Sequence, residues 1–237
     1  MILGSAEWKS VIIDGAAELG VEVSEEQAAL FAVHAREMVL WNRRINLTAV
    51  TDPFEMAIKH YVDSIAAIPL IKPGASLLDA GSGGGFPGIP LKIMLPSLDL
   101  TLLEARRKRV SFLKHILRTL GFVDVGVLNE RLEETAAALL PGAGFDVIVS
   151  RAFSHLELFA AHAMPLLNPG GCLVAFKGTK GDKLSKELIG LENIRVESTT
   201  EKQNPKESRL HVDIKSILLP RLEMERTLII ITPVRVI

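Results

Sequence analysis

The sequence predicts an α/β fold: a mostly parallel sheet with helices on both faces, preceded by a helical segment. Three observations carry this. From residue 75 onward, short β-rich runs alternate with helical stretches, the pattern of parallel strands joined by crossover helices. The last two strand-like runs, "RLHVDIKSILLP" and "RTLIIITPV", have no convincing helix between them, as expected for an antiparallel pair at one edge. Before residue 70, apolar residues recur instead at spacings of three and four.

Taken in order, "SEEQAALFAVHAREMVLWNRRINL" opens with a capping box, Ser24 with Gln27, and buries one stripe of Phe31, Ala35, Met38, Trp41 and Ile45. "NLTAVTDP" at 46–53 breaks that helix, and "PFEMAIKHYVDSIAAI" starts another with Pro53 suited to a first helical turn. Residues 1–70 therefore read as an N-terminal helical extension and 71–237 as the main domain, with "KPG" at the boundary. Strands are expected in "ASLLDA", "LDLTLLE", "VDVGVLN", "FDVIVS" and "GCLVAFKG", which with the closing pair makes seven. Helices are expected at 88–95, 106–120, 131–140 and 154–167, and 179–207 reads as a solvated helix and loop.

Composition removes several classes. Apolar residues are 48% and charged residues 23% of the 237, ordinary globular usage that argues against disorder or a fibre. A net charge of −1 means that any nucleic-acid footprint must be local. The single Cys172 excludes an intramolecular disulfide and a cysteine-rich zinc site, and the six histidines show no metal spacing, so no metal is expected. The N-terminus lacks a basic region followed by a long apolar one, and no stretch approaches the roughly 18 uninterrupted apolar residues of a membrane span, so a cytosolic protein without a membrane partner is expected.

The chemistry is expected at "LLDAGSGGGFPGIPLKI", residues 77–93, where a strand ends in an acid and a glycine loop. A P-loop is excluded, because Ile89 and Pro90 stand where its lysine and hydroxyl must be. The dinucleotide fingerprint matches formally at Gly83, Gly85 and Gly88, but Phe86 and Pro87 are bulky where a pyrophosphate needs close backbone approach. The third reading takes Asp79, Gly81, Gly83 and Gly85 as acid-x-G-x-G-x-G. That suits S-adenosylmethionine, which carries an ammonium and a sulfonium but no phosphate. Glu104, at the end of the second strand and about 20 residues on, is placed to accept hydrogen bonds from ribose hydroxyls.

Six segments, "WNRRINLT" (41–48), "HYVDS" (60–64), the glycine loop, "RKRVSFL" (107–113), "SRAF" (150–153) and "FKG" (176–178), together resemble the RsmG (GidB) family in order and spacing. The resemblance covers residues from about 24 to 232. It implies a Rossmann-like class I methyltransferase that uses S-adenosylmethionine to methylate N7 of one guanine in 16S ribosomal RNA, as naked RNA or in the small-subunit particle. By position it implies cofactor contacts from Gly81 and Phe86, from Glu104, Ala105 and Arg106, from Leu132 and Glu133, and from Arg151 of "SRAF". Some members end in a Pro- and Lys-rich tail that "TPVRVI" does not match, so no RNA contact is expected there.

Guanine N7 carries a lone pair and no hydrogen, so no catalytic base is expected and catalysis should rest on proximity. RNA contact is expected from a local basic footprint: Arg43, Arg44, Arg106, Arg107, Lys108, Arg109, Lys114, Lys177 and Lys180, with Lys177 foremost. A substrate role stays open for Asn46, Thr48 and His60; the plainer reading of the first two is a turn and a helix cap, and of His60 with Asp63 a surface pair or a helix-loop tie, while the resemblance implies that "HYVDS" is a packing element near the active-site mouth. Three alternatives stay open: a small-molecule methyltransferase on the same fold, a non-catalytic RNA-binding or assembly factor, and an NAD oxidoreductase.

Overall fold

A computed structural model of the chain describes residues 1–135, 144–151, 153, 155–178, 182–192 and 208–235. The N-terminal helices are α1 (Ala6–Glu18), α2 (Glu25–Ile45), α3 (Pro53–Met56) and α4 (Asp63–Ile65), with a π-helical segment, Ala57–Val62, joining the last two. Each start is fixed locally. Ser5 caps α1; the Ser24–Gln27 box forms in both directions; Asp52 accepts from the Glu55 N–H with Pro53 in the first turn of α3.

The sheet follows: β1 (Ser76–Ala80), β2 (Asp99–Leu103), β3 (Gly126–Leu128), β4 (Phe145–Ser150), β5 (Leu167–Lys177), β6 (Ser208–Leu219) and β7 (Met224–Arg235). Between them lie α5 (Gly88–Met94), α6 (Arg107–Leu120), α7 (Leu156–Ala163) and α8 (Asp182–Glu192). The strand order is β3-β2-β1-β4-β5-β7-β6, with only β7 running against its neighbours. The seven strands and the antiparallel edge agree with the sequence expectation. The order reverses between β1 and β4, the switch point beside which open α/β sheets bind ligands at their strands' carboxyl ends.

Some boundaries differ. β3 keeps three residues of the seven expected, and Val123 before it is 98% exposed. β5 begins four residues early, at Leu167, and the helix before it stops at Ala163 in a short 3-10 turn. In the helix expected at 131–140 only the 3-10 turn Leu132–Glu134 is described, and 136–140 lie outside the described residues, as do Lys180 and all of 193–207.

The period of two along β1 divides the core, because successive side chains leave a strand on opposite faces. Leu77 faces a cluster that also holds Trp8, Phe31, Met38, Tyr61, Ile89, Phe112 and Phe176; Leu78 faces another with Ile148, Phe159 and Leu173. The first cluster runs without a break from the N-terminal helices onto the sheet. Trp8 shows how tight that join is: it is fully buried, its ring edge meets Tyr61 at 5.4 Å, and its Nε1–H donates to the Pro53 carbonyl at 2.8 Å.

Truncation at that join should therefore be felt by the whole chain. Trp8→Ala is expected to cost about 3–5 kcal/mol, the usual loss for a large buried aromatic. Urea unfolding followed by far-UV circular dichroism should show one transition shifted to lower urea, not an early separate loss of the first helices.

Candidate functional site

The glycine loop leaves β1 at Ala80 and turns at Gly81, Gly83 and Gly85, with φ of 82°, 56° and 88°. Side chains rarely adopt these values, which explains the spacing of the glycines. Two carboxylates grip the loop. From beneath, Asp79 Oδ2 accepts the Gly88 N–H at 2.9 Å. From β2, Glu104 Oε2 accepts the Gly83 N–H at 3.0 Å while its Oε1 accepts the Arg106 N–H at 2.8 Å. A Cβ at Gly88 would lie 2.6 Å from Leu102 Cδ2 and 2.8 Å from Asp79 Oδ2, so only glycine fits there.

Beside the loop lies a cavity of about 290 Å³. Gly81, Glu104, Ala105, Leu132 and Glu133 line it, five of the positions expected to hold the cofactor. Gly83, Gly85 and Asp79 shape the loop, whereas Arg106 contributes its backbone N–H and has an exposed side chain. The sequence reading missed Leu103, Glu130, Arg131 and Phe153, which complete the lining, and it placed Arg109 on the RNA side. Arg109 instead reaches inward: NH1 is 3.7 Å from Glu104 Oε2, and NH2 donates to the Asn46 carbonyl at 3.3 Å.

Phe86 and Arg151 form a neighbouring layer. The Phe86 ring stacks on His60 at 4.7 Å, packs against His34 at 4.9 Å, and has the Arg151 guanidinium 5.6 Å from its centroid. Arg151 donates to the Lys59 carbonyl at 3.1 Å and to Ser64 Oγ at 3.0 Å, tying the end of β4 to the π-helical segment. His34 supports the loop from α2. Its Nε2 bonds the Gly84 carbonyl at 2.8 Å and its Nδ1 pairs with the Tyr61 hydroxyl at 3.3 Å. The sequence offered a faint signal for His34, a polar residue beside the apolar stripe of α2, three positions after Phe31.

Burial sets the charge states. It pushes His34 down to about 4 against the opposing Gly84 carbonyl, and burial with the nearby Arg151 charge pushes His60 down to about 3, so both rings are neutral at pH 7. Burial also raises the Asp79 carboxyl to about 7, against the Gly88 hydrogen bond that lowers it. Asp79 Oδ1 has no hydrogen-bond partner among the described residues.

Two expected RNA contacts need correction. Lys177 is 8% exposed; its Nζ donates to the Phe153 carbonyl at 3.0 Å and pairs with Glu187 on α8 at 2.7 Å. That commits the charge inside the fold, through a partner ten residues away that strand patterning does not reveal. His60 is likewise buried and neutral, and its expected surface partner Asp63 is fully buried in a two-bond pair with Arg226 of β7, at 2.6 and 2.8 Å. Arg43, Arg44, Arg106, Arg107, Lys108 and Lys114 do remain exposed, with α2 packed beside α6. Asn46 is exposed too and ends α2 in a left-handed conformation. No group of three metal-ligating side chains occurs among the described residues.

The family model described as rRNA small subunit methyltransferase G (GidB) matches residues 27–209. The Ribosomal RNA small subunit methyltransferase G of Geobacter metallireducens is 42% identical over 192 residues, covering 78% of this chain and 86% of that protein. Its namesake from Geobacter sulfurreducens is 44% identical over 192 residues, covering 78% and 88%. Among solved structures, an O-methyltransferase from Bacillus cereus in complex with SAH aligns with a TM-score of 0.56 at 16% identity, covering 84% of this chain and 90% of that one. A SAM-dependent methyltransferase from Aquifex aeolicus aligns with a TM-score of 0.55 at 16% identity, covering 77% and 94%. These two likenesses establish the fold.

The raised Asp79 carboxyl gives a pH test. Its acid form is favoured in the folded chain, so its contribution is fully present below the ordinary value of 3.8 and is lost as pH rises toward about 7. Asp79→Asn keeps an acceptor for Gly88 without titrating. The stability difference, wild type minus variant, should therefore fall between about pH 4 and pH 7 and stay flat above, as read from urea midpoints across that range.

Proposed function

The chain belongs to the rRNA small subunit methyltransferase G family, and from that membership we propose that it transfers a methyl group from S-adenosylmethionine to N7 of a guanine in 16S ribosomal RNA. The observation that carries the reading beyond family membership is the acidic cavity at the sheet's switch point, beside a loop held open by glycines. Three carboxylates, Glu104, Glu130 and Glu133, and two guanidiniums, Arg109 and Arg131, line it, with Arg109 beside Glu104 and Arg131 beside Glu133. A phosphate-bearing dinucleotide suits that balance poorly, whereas a ligand of net positive charge with no phosphate suits it well.

The residues present fit this cofactor. Each Glu104 oxygen accepts one backbone N–H and keeps lone-pair capacity for a ribose hydroxyl. Leu132 supplies an apolar wall for a flat base, and Asp79 Oδ1 is a buried acceptor still lacking a donor. When bound, S-adenosylmethionine supplies a methyl group on a positively charged sulfur. The chain's own part is to hold the guanine so that the N7 lone pair meets that carbon in line, an approximation effect of several kcal/mol, roughly 7–11 at its upper reach. Because N7 bears no hydrogen, no side chain must take a proton. The neutral His34 and His60, both engaged in hydrogen bonds, accord with a site that holds geometry and moves no proton.

The exposed basic residues at the end of α2 and the start of α6 form the surface offered to RNA phosphates, next to the cavity rim at Ala105. A ribosomal substrate places the reaction in the cytoplasm; no helix among the described residues is long and apolar enough to cross a membrane.

Incubation with cofactor and unmodified 16S ribosomal RNA, and separately with assembled small subunits, followed by nucleoside mass analysis, should yield 7-methylguanosine in at least one case. Its absence from both would overturn the reading. Removing charge with Arg107→Ala and Lys108→Ala together should weaken RNA binding and reduce the salt slope of log K by about 0.7–0.9 for each phosphate no longer neutralised, with cofactor affinity unchanged. Filter binding across a salt series reads the first effect and calorimetry the second.

A further inference from the structure

The loop between α2 and α3 carries a polar group that the chemistry above does not use. Asn42 holds this loop rigidly: its Oδ1 accepts the N–H groups of Leu47 and Thr48 at 2.6 and 2.9 Å, and its Nδ2 donates to the Thr48 carbonyl at 3.0 Å. On one side the loop touches the cavity, through Arg109 and the Asn46 carbonyl. On the other it touches the aromatic layer on the glycine loop, because Thr48 Oγ1 lies 2.8 Å from Nε2 of His60, the ring stacked on Phe86. Thr48 thus stands, partly exposed, between the two.

Elimination fixes the direction of the Thr48–His60 bond. A guanidinium has only donors, and Arg151 NH2 is 3.5 Å from His60 Nδ1, so we assign the lone pair to Nδ1 over a ring N–H turned to the nearby Lys59 carbonyl. The ring proton then sits on Nε2 and is donated to Thr48 Oγ1. The Val50 N–H donates to the same oxygen at 3.0 Å. Both lone pairs of the hydroxyl are used, and its own hydrogen has no acceptor among the described residues. Burial keeps His60 from taking a second proton, so this polarity persists at neutral pH.

We infer that Thr48 is a positioning residue for the target base, its hydroxyl donating to the O6 carbonyl beside N7 of guanine. The inference rests on the guanine-N7 reading given above. On that edge guanine offers two acceptors, N7 and O6, whereas adenine offers N7 and a donor amine. A hydroxyl that has spent both lone pairs can donate but not accept. It therefore steadies guanine and leaves the adenine amine unpaired, which makes Thr48 a determinant of base choice as well as of aim.

The test compares wild type, Thr48→Val and Thr48→Ser under single-turnover conditions with saturating S-adenosylmethionine. The substrates are reassembled small subunits carrying guanosine, inosine or 2-aminopurine riboside at the target position; inosine keeps O6, and 2-aminopurine lacks it while keeping N7. Thr48→Val should slow methylation of guanosine and inosine about tenfold, the worth of one hydrogen bond, yet be no slower than wild type on 2-aminopurine. Thr48→Ser should restore most of the rate, and the cofactor Kd should not change. The variant ratio on each substrate cancels intrinsic differences in N7 nucleophilicity. An equal loss on all three substrates would mean that Thr48 only holds the loop, and no loss on guanosine would mean that it does not touch the base; either overturns the inference. If wild type forms no 7-methylguanosine on the guanosine substrate, the reading beneath it has failed and the inference falls with it.

Discussion

Two carboxylates holding one loop are the constraint on which the rest of the site depends. Asp79 and Glu104 stand at the ends of neighbouring strands, two residues out of register, and each accepts a backbone N–H from the glycine loop. A loop turning through three left-handed glycines carries high conformational entropy when free, so it needs anchors to present one shape. The anchors explain the strand ends as well. Parallel pairing of β1 with β2 sets the distance between the acids, and the loop bridges it.

The N-terminal helices complete that arrangement. His34 fastens Gly84 from α2, Phe86 packs under His60 of the π-helical segment, and Arg151 returns from β4 to the carbonyl of Lys59. Asp63, buried between Arg226 and Arg151, links the same segment to the antiparallel edge. A buried carboxylate is costly unless paired, and here two guanidiniums share it. The helical segment is therefore built into the site, although its sequence reads as a preface to the sheet.

What the sequence disclosed follows from how far each signal travels along the chain. The strands, the capping box and the glycine loop are local patterns, and they stand where the residues placed them. Gly81, Glu104, Ala105, Leu132 and Glu133 face one cavity because they end successive parallel strands or open the segments after them, a regularity of the fold class. Lys177 and the surface pairing of His60 with Asp63 were misread because burial depends on partners far away in sequence or in another element, Glu187 and Thr48 among them, whereas the packing role of "HYVDS" beside the site agrees with the buried His60 ring. A lysine ending a strand looks the same in sequence whether it meets solvent or an internal carboxylate. The π-helical turn left no mark either, since "AIKHYV" is as compatible with an ordinary helix.

The charge states bind these parts together. Around the loop, burial suppresses the proton affinity of both histidines and raises that of Asp79, each change favouring the neutral form. A site for general acid–base work would show the opposite tendency, with a group poised to exchange protons in contact with substrate. The N7 methylation proposed for this chain makes no such demand, because the nucleophile arrives with its lone pair free and the product keeps the charge it gains. Asp79, raised to about 7, lies behind the loop. A hydrogen bond to a carboxylate is stronger than one to a neutral acid, so the grip on Gly88 is firmest when Asp79 is ionised.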